Sequence, residues 1–267
     1  MSIEGLARHP LLYLPHEIIK IIFTELQNTD LIQLSQVNKL MRSFITPYLF
    51  NEISLSWNMI FNIDQFKYKE NVEKIRIFQN NLQNEWNFKF CEFFCTFNNL
   101  VEIELLTSQS SNFMKYNQLC PSLERLRIKT ITAESTFGLD HLNLIVGLKY
   151  LQLEGFCLSF EKEDVKEHLY NIKRLKLIDC SWNYPFELEF FDKDNIESLE
   201  IIYNNQCHFF LSERFKEFLK KFSVTFKEIK HMRIDNYAEF KLNLSNMNLY
   251  QNKKMLKKLE LFGNIVT

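Results

Sequence analysis

Six histidines and six cysteines are the side chains of this sequence best suited to metal or nucleophilic chemistry, and they are scattered along the chain. No histidine lies in an HExxH motif, and no serine lies in a GxSxG motif. Cys91 and Cys95 are four residues apart, but a zinc site usually draws close pairs of ligands from two places in a chain. We therefore expect no metal and no cofactor, and we predict that the cysteines are reduced and buried.

A pair of carboxylates, Glu102 and Glu104, is the remaining candidate for acid–base chemistry. One residue separates the two, so both point to the same face of a predicted strand. A catalytic carboxyl group needs burial or a close charged partner to shift its pKa, and here we predict a solvated strand face instead. Because the sequence also lacks the glycine-rich GxGxxG and GxxxxGKS/T phosphate loops, we predict that the protein is not an enzyme.

Charge and hydropathy narrow the classes of partner. The formal net charge is −1 and the pI is about 6.6, whereas nucleic-acid-binding domains usually carry a basic excess. The apolar stretch from Leu11 to Leu14 is too short for a signal peptide, and no stretch approaches the roughly 20 apolar residues of a membrane span. We expect no nucleic acid and no membrane among the partners, and a cytoplasmic or nuclear location.

An internal repeat predicts the elements that position the charged side chains. The repeated motif is one apolar residue, two variable residues, an apolar residue, one variable residue and an apolar residue, at intervals of 23–33 residues. Its copies are VEKIRI from Val72, LVEIEL from Leu100, LERLRI from Leu123, LKYLQL from Leu148, IKRLKL from Ile172, IESLEI from Ile196, IKHMRI from Ile229 and LKKLEL from Leu256. The motif and its period resemble those of leucine-rich repeats, which run at about 20–29 residues.

The spacing within the motif predicts a strand, and the residues between motifs predict helices. The last two apolar positions lie two residues apart, so both side chains point to one face of a short strand. Apolar residues at helical spacing lie within 90–97, 165–169 and 215–222. Strands that alternate with helices predict an α/β horseshoe solenoid of about eight leucine-rich repeats over residues 53–267.

The resemblance to leucine-rich repeats also implies a role for the residue that lies eight positions after the first residue of each motif. In that family this residue is often Asn or Cys, whose side chain satisfies buried backbone groups in the turn. The matching residues here are Asn80, Cys180, Asn204 and Asn264. The other repeats depart from the pattern with Ser108, Ile131, Phe156 and Tyr237, so we expect an irregular solenoid.

Variable positions that alternate with the apolar ones are expected to form two columns on the concave face. The first column reads Lys74, Glu102, Arg125, Tyr150, Arg174, Ser198, His231 and Lys258. The second reads Arg76, Glu104, Arg127, Gln152, Lys176, Glu200, Arg233 and Glu260. Both columns are basic and free of acids across the third to fifth repeats, at Arg125, Arg127, Tyr150, Gln152, Arg174 and Lys176.

Arginine pairs bind carboxylate or phosphate in a bidentate manner. We therefore hypothesise that these six central residues bind an acidic or phosphorylated segment of a protein. The alternative is that Arg76 and Arg127 pair across strands with Glu104 and that the face is merely solvated.

Residues 9–53 do not follow the repeat and instead show helical patterns. We predict a first helix that begins near Pro15 and ends before Asn28. Asp30 is the predicted N-cap of a second helix, whose inner side carries Leu31, Leu34 and Val37. Pro47 is predicted to end the last helical stretch around Phe44.

The apolar arc of the first helix is wider than one core requires. At about 100° per residue, the side chains of Ile18, Ile19, Ile21, Ile22 and Phe23 cover roughly 200°, whereas a helix that faces a single core needs about 100°. One side of this arc can pack within its own domain, and the other side requires a second surface.

The helical segment resembles the F-box. The matching residues, in order, are Leu14, Pro15, Glu17, Ile18, Ile19, Ile22, Phe23, Leu26, Asp30, Leu31, Leu34, Val37, Pro47, Leu49 and Phe50. Where many members carry Trp in the third helix, this chain has Phe44 or Met41. The resemblance implies a three-helix domain, placed here at residues 9–52, that binds a Skp-family adaptor and through it a cullin.

By position, the resemblance assigns adaptor contact to Leu14, Pro15, Ile18, Ile21 and Ile22. An F-box followed by leucine-rich repeats implies the substrate-recognition subunit of a ubiquitin ligase. Two other interpretations stay open: a scaffold that binds the adaptor outside a ligase, and a repeat protein whose helices only cap the solenoid.

Overall fold

The computed structural model of the chain describes residues 13–56, 59, 66–78, 93–94, 96–107, 122–132, 135–138, 147–159, 172–182 and 195–204. It describes the backbone strands at 231–236, 242–243, 258–261 and 265–266 as well. The predicted helices at 165–169 and 215–222 lie outside these ranges. Of the predicted helix at 90–97, the described residues include the helical Phe93 and Phe94, which are buried.

Three helices form the N-terminal head: α1 at His16–Glu25, α2 at Asn28–Ser35 and α3 at Lys39–Leu49. Their packed core consists of Ile19, Phe23, Leu31, Met41 and Ile45. These residues recur at helical intervals, so each helix buries one side against the other two. The edge of the Phe23 ring contacts Tyr48, with ring centroids 5.1 Å apart, and burial raises the pKa of this tyrosine.

Two predicted helix boundaries in the head are wrong. Helix α2 begins before Asp30, and the Asp30 carboxylate accepts a hydrogen bond from the backbone N–H of Gln27 at 3.3 Å. Helix α3 runs through Pro47 to Leu49. Pro47 removes one backbone hydrogen bond, but Ile45 and Leu49 on either side of it pack in the head core and keep the segment helical.

The predicted inner side of the second helix is also wrong at one residue. Leu31 is buried and Leu34 packs against the core, as predicted. Val37, however, is exposed, because α2 ends at Ser35 and Val37 lies in the turn before α3. Asn38 is the N-cap of helix α3, and its side-chain oxygen accepts a hydrogen bond from the backbone N–H of Met41 at 2.8 Å.

Beyond the head, the described residues form strands and a short 3-10 helix at Lys69–Asn71. The strands are β1 Glu52–Ser56, β2 Lys74–Phe78, β3 Glu102–Thr107, β4 Arg125–Thr130, β5 Thr136–Gly138, β6 Tyr150–Glu154, β7 Cys157–Ser159, β8 Arg174–Ile178, β9 Ser181–Trp182, β10 Ser198–Tyr203, β11 His231–Asn236, β12 Leu242–Asn243, β13 Lys258–Leu261 and β14 Ile265–Val266.

Nine of these strands form one parallel sheet in the order β1-β2-β3-β4-β6-β8-β10-β11-β13. Side chains alternate between a buried and a more exposed face, so that Ile75 and Ile77 are buried in β2 while Lys74 and Arg76 lie on the other face. Both predicted columns are confirmed by the pairing of adjacent strands. The sheet is compatible with a repeat solenoid.

Strand β1 extends the sheet by one strand before the first predicted motif. Glu52 pairs with Lys74 and Ser54 pairs with Arg76, so β1 adds one residue to the beginning of each of the two columns. The segment FNEISL from Phe50 carries the same apolar spacing as the repeat motif. This spacing could have predicted the strand from the sequence.

Short second strands follow β4, β6 and β8. Strands β5, β7 and β9 form a three-stranded parallel sheet. Phe137, Leu158 and Trp182 are in register in this sheet and fully buried, so they form a buried apolar column along it. These strands occupy part of the connections for which helices alone were predicted.

The turn between β6 and β7 depends on Gly155. This residue has a φ of +81°, and a Cβ atom placed on it would lie 2.8 Å from Cγ2 of Thr130. In the next repeat Asp179 takes the same place with a φ of 49°. Aspartate tolerates this region because its short side chain bonds locally, and here its carboxylate accepts a hydrogen bond from the backbone N–H of Asn204 at 2.7 Å.

Gly155→Ala is expected to lower the free energy of unfolding by about 2–3 kcal/mol, from left-handed backbone strain and from overpacking against Thr130. Thr130→Ser removes Cγ2 and keeps the hydroxyl. In the double variant about 1 kcal/mol should therefore be recovered. Urea unfolding followed by circular dichroism measures both effects, and equal stability of wild type and Gly155→Ala would contradict them.

Candidate functional site

The wide apolar arc of α1 is divided between the core of the head and its surface. Ile19 and Phe23 are buried, whereas Ile18 is 42 % and Ile21 is 58 % exposed. Of the other residues assigned to adaptor contact, Pro15 is exposed, and Leu14 and Ile22 pack against the head core. The assigned set therefore contains three surface residues and two residues that support them.

Helices α2 and α3 also expose apolar side chains, namely Ile32, Leu40 and Phe44. We call Ile18, Ile21 and these three residues the apolar head residues. Phe44 points to solvent while Met41 is buried, so Phe44 is the residue available to a partner in the third helix. Large exposed apolar side chains are typical of protein interaction sites when they cluster.

The head is joined to the sheet by direct packing. The Phe50 ring at the end of α3 stacks on the Tyr68 ring, with centroids 4.4 Å apart. The Phe66 ring contacts the Phe50 ring edge-on, with centroids 5.6 Å apart. The carbonyl of Asn51 accepts hydrogen bonds from the backbone N–H groups of Glu73 at 2.9 Å and Lys74 at 3.0 Å. The chain thus passes from α3 into β1 without a flexible linker.

A buried carboxylate organises the charged columns of the sheet. Glu102 is only 5 % exposed, which corrects the prediction of a solvated side chain. Its oxygens lie 3.1 Å from Nζ of Lys74, 2.9 Å from Nε of Arg125 and 3.2 Å from Nε of Arg127. We call these four residues the Glu102 cluster. Three cations around one carboxylate explain how the charge of Glu102 is buried.

The predicted cross-strand pairing with Glu104 is confirmed at one arginine and wrong at the other. Arg76 contacts Glu104 at 3.1 Å and Glu52 at 2.9 Å. Arg127 contacts Glu102 rather than Glu104. Lys74 lies 3.7 Å from Glu52 and 3.8 Å from Glu104, which links these pairs to the Glu102 cluster.

The predicted anion site is a cleft of about 460 Å³, here called the basic cleft. Its lining residues are Glu102, Glu124, Arg125, Arg127, Lys149, Tyr150, Lys173 and Arg174. Gln152 and Lys176 do not line it: Gln152 accepts a hydrogen bond from the Tyr150 hydroxyl at 2.8 Å, and Lys176 pairs with Glu200 at 3.4 Å.

Sequence reasoning missed Glu124, Lys149 and Lys173, which come directly before β4, β6 and β8. Lys149 donates a hydrogen bond to Glu124, and this contact holds the pKa of the Glu124 carboxyl below its usual value. Lys173 lies 3.6 Å from Glu197. These positions lie outside the period-two columns, so the strand pattern gave no signal for them.

The centre of the basic cleft is the aromatic ring of Tyr150. The guanidinium of Arg127 lies 5.5 Å from the centroid of this ring, and burial raises the pKa of the tyrosine. Arg174 makes no ion pair with a carboxylate among the residues that the structure describes. Five cationic and two carboxylate side chains line the basic cleft, so its net positive charge favours an anionic ligand.

A second cavity of about 260 Å³ lies towards the other end of the same strands. Its lining residues are Ile77, Phe78, Glu104, Leu105, Leu106, Arg127, Ile128, Lys129, Gln152 and Glu154. The Phe78 ring at its edge is 44 % exposed. We call this cavity the apolar groove.

The expected Asn or Cys position after the strands behaves differently in two repeats. Cys180 is buried, its thiol lies 3.4 Å from the carbonyls of Leu153 and Ile178, and burial raises its pKa to about 12. This is the expected inward role. Asn204 is instead exposed, so the expectation is wrong there. Asn80 and Asn264 lie outside the described residues, as do Cys91 and Cys95.

Within the described ranges, no three His, Cys, Asp or Glu residues come together to hold a metal ion. No described helix is long and apolar enough to cross a membrane.

The sequence model of the F-box domain family matches residues 11–51, from just before α1 to the residue that precedes β1. Residues 11–51 are an F-box domain. F-box domains typically bind Skp-family adaptors, which connects this domain in general to ubiquitin ligase complexes. A comparison with curated proteins finds no match to the chain.

Glu102→Gln is expected to lower the free energy of unfolding by about 1.5–3 kcal/mol, because it removes a buried, charge-assisted contact to three cations. Glu104→Gln is the matched control. The Glu104 side chain is 39 % exposed, and an exposed ion pair contributes only about 0–1 kcal/mol. Urea unfolding measures both, and equal effects of the two substitutions would contradict the organising role of Glu102.

Proposed function

We propose that this protein is the substrate-recognition subunit of a Skp–cullin–F-box ubiquitin ligase. The observation that carries the proposal is an F-box domain that exposes Ile18 and Ile21 on the side of α1 opposite its core. A Skp-family adaptor would cover these side chains together with Pro15 and Phe44, and would connect the domain to a cullin. The proposed location is the cytoplasm or the nucleus.

The sheet is proposed to be built from leucine-rich repeats whose concave face binds the substrate. Its support is the period of the motif and the in-register parallel strands. The basic cleft favours an acidic or phosphorylated segment of that substrate. In this role the protein positions another protein and performs no chemistry of its own.

The junction between head and sheet suits this role. Packing of Phe50 on Tyr68 and the hydrogen bonds to Asn51 fix the first strand to the end of α3. A substrate on the sheet would then be held at a defined position relative to the adaptor. Proximity of reactants is the main contribution of a ligase receptor that has no catalytic residues.

Two other functions differ from this one in their partners. A scaffold outside a ligase would bind the adaptor but no cullin. A repeat protein with a helical cap would bind neither, but such a cap would leave no reason for Ile18 and Ile21 to be exposed.

Co-purification of the tagged full chain from cells treated with a proteasome inhibitor tests these functions. Adaptor and cullin together are the result expected here. Adaptor without cullin would identify the scaffold, and the absence of both would overturn the proposal.

Ile18→Asp combined with Ile21→Asp is expected to weaken adaptor binding at least about 30-fold, which corresponds to about 2 kcal/mol for loss of interface anchors. Both side chains are exposed in the free protein, so the fold should persist. Lys20→Asp on the same helix is the control and should bind normally. Binding is measured by titration calorimetry, and a folded double variant with unchanged affinity would refute the docking role of these residues.

A further inference from the structure

We infer that the basic cleft and the apolar groove are two halves of one site. The site binds an extended peptide segment that carries an anionic side chain and a large apolar side chain about four residues apart. This inference rests on the proposed function, because it specifies the segment of the substrate that the concave face would recognise.

The two cavities are adjacent on one face of the sheet. Arg127 lines both of them. The basic cleft is built around the first column at Arg125, Tyr150 and Arg174. The apolar groove reaches residues four positions further along the strands, such as Phe78 in β2 and Lys129 in β4. A single peptide lying along the strands would therefore meet both cavities.

The basic cleft arises where an alternation of charge is interrupted. From β1 to β4 the first column reads Glu52, Lys74, Glu102, Arg125, so each cation lies between acids or beside one. Strand β6 then places Tyr150 where the alternation would place an acid.

The second column is interrupted at the same strand. It reads Arg76, Glu104, Arg127 and then Gln152, before Lys176 and Glu200. Strand β6 is therefore neutral in both columns, between the cations of β4 and β8. These two strands lie about 10 Å apart, and an anion of the ligand would supply the missing negative charge between them.

The arginines of the basic cleft are oriented for this role. Glu102 contacts both Arg125 and Arg127 at Nε, and a guanidinium has further N–H donors at its terminal nitrogens. Arg174 has no carboxylate partner in the described part of the chain. Carboxylate and phosphate oxygens are the acceptors that match such donors.

The apolar groove has the size and lining for one large apolar side chain. Its apolar side chains are the exposed Phe78 and the half-buried Leu106, whereas Ile77, Leu105 and Ile128 point to the core on the other face of the sheet and border the groove through their backbone. Its volume of about 260 Å³ exceeds the roughly 150 Å³ of an apolar cavity that holds benzene. Lys129 and Glu154 form an ion pair that also lines this groove, and their polar atoms can form hydrogen bonds with the backbone of a bound peptide.

The spacing follows from strand geometry. Arg125 and Lys129 are four residues apart in β4, which corresponds to about 13 Å at 3.3 Å per residue. An extended peptide that runs along β4 rises by the same amount per residue, so its anionic and apolar side chains would also be about four residues apart. A spacing of two residues would be too short, and eight would extend beyond the sheet.

A set of synthetic fluorescent peptides on an alanine–serine background tests this inference against the purified full chain, with and without a Skp-family adaptor. Each peptide carries phosphoserine, glutamate or serine at one position, and either leucine or, as the leucine-free control, alanine two, four or eight residues before or after it. Fluorescence anisotropy is expected to show at least tenfold tighter binding for an anion with leucine four residues away than for either feature alone. The phosphoserine and glutamate series distinguish phosphate from carboxylate as the anion.

Two substitutions assign each half of the site. Arg174→Glu should abolish the preference for the anion and leave the preference for leucine, whereas Phe78→Ser should do the reverse. Both side chains are exposed, so the fold is expected to persist. Lys67→Glu, a charge reversal at an exposed residue outside both cavities, is the control and should change neither preference.

The result that would overturn the inference is binding that is independent of the leucine spacing, or an anion preference that survives Arg174→Glu. Adaptor binding is measured on the same samples. Loss of the spacing preference with the adaptor still bound refutes only the two-part site, whereas a chain that binds peptides but no adaptor refutes the proposed ligase function.

Discussion

In a parallel sheet with matched register, equivalent residues of successive strands lie in one column only about 4.8 Å apart. Like charges in such a column repel, so alternation of acids and bases stabilises a charged face of the sheet. Glu102 is the position where this requirement is most strongly met, because its buried carboxylate lies between Lys74 on one strand and Arg125 on the next. From β1 to β4 the other charged residues of the two columns follow the same alternation.

The columns themselves could be predicted from the sequence because side-chain direction along a strand has a period of two. The burial of Glu102 could not, since it depends on three long side chains from neighbouring strands that fold over it. Lys149 and Lys173 were missed because they precede the strands. In the head, the approximate positions of the helices could be predicted. The boundaries predicted from Asp30 and Pro47 are wrong, because Gln27 is the N-cap of α2 and core packing keeps α3 helical through Pro47.

The F-box head and the sheet are mechanically continuous in the described structure. Phe50 belongs at once to the end of α3 and to the aromatic stack with Tyr68, and it also occupies the first apolar position of the repeat spacing that leads into β1. One residue therefore contributes to both units, and packing rather than a linker connects the end of α3 to the first strand of the sheet. This continuity is what a receptor needs if its two ends bind different proteins.

In the proposed recognition of an anionic segment, specificity would arise from missing acids rather than from an excess of bases. The whole chain has a net charge of −1, and most cations of the columns already have a carboxylate neighbour. Tyr150 and Gln152 leave β6 without charge in both columns, and the hydrogen bond from the Tyr150 hydroxyl to Gln152 connects the two side chains without supplying charge. On the described strands, an anion would then be favoured beside β6, between Arg125 and Arg174. Local neutrality within an alternating pattern thus defines a binding position more narrowly than a uniformly basic surface would.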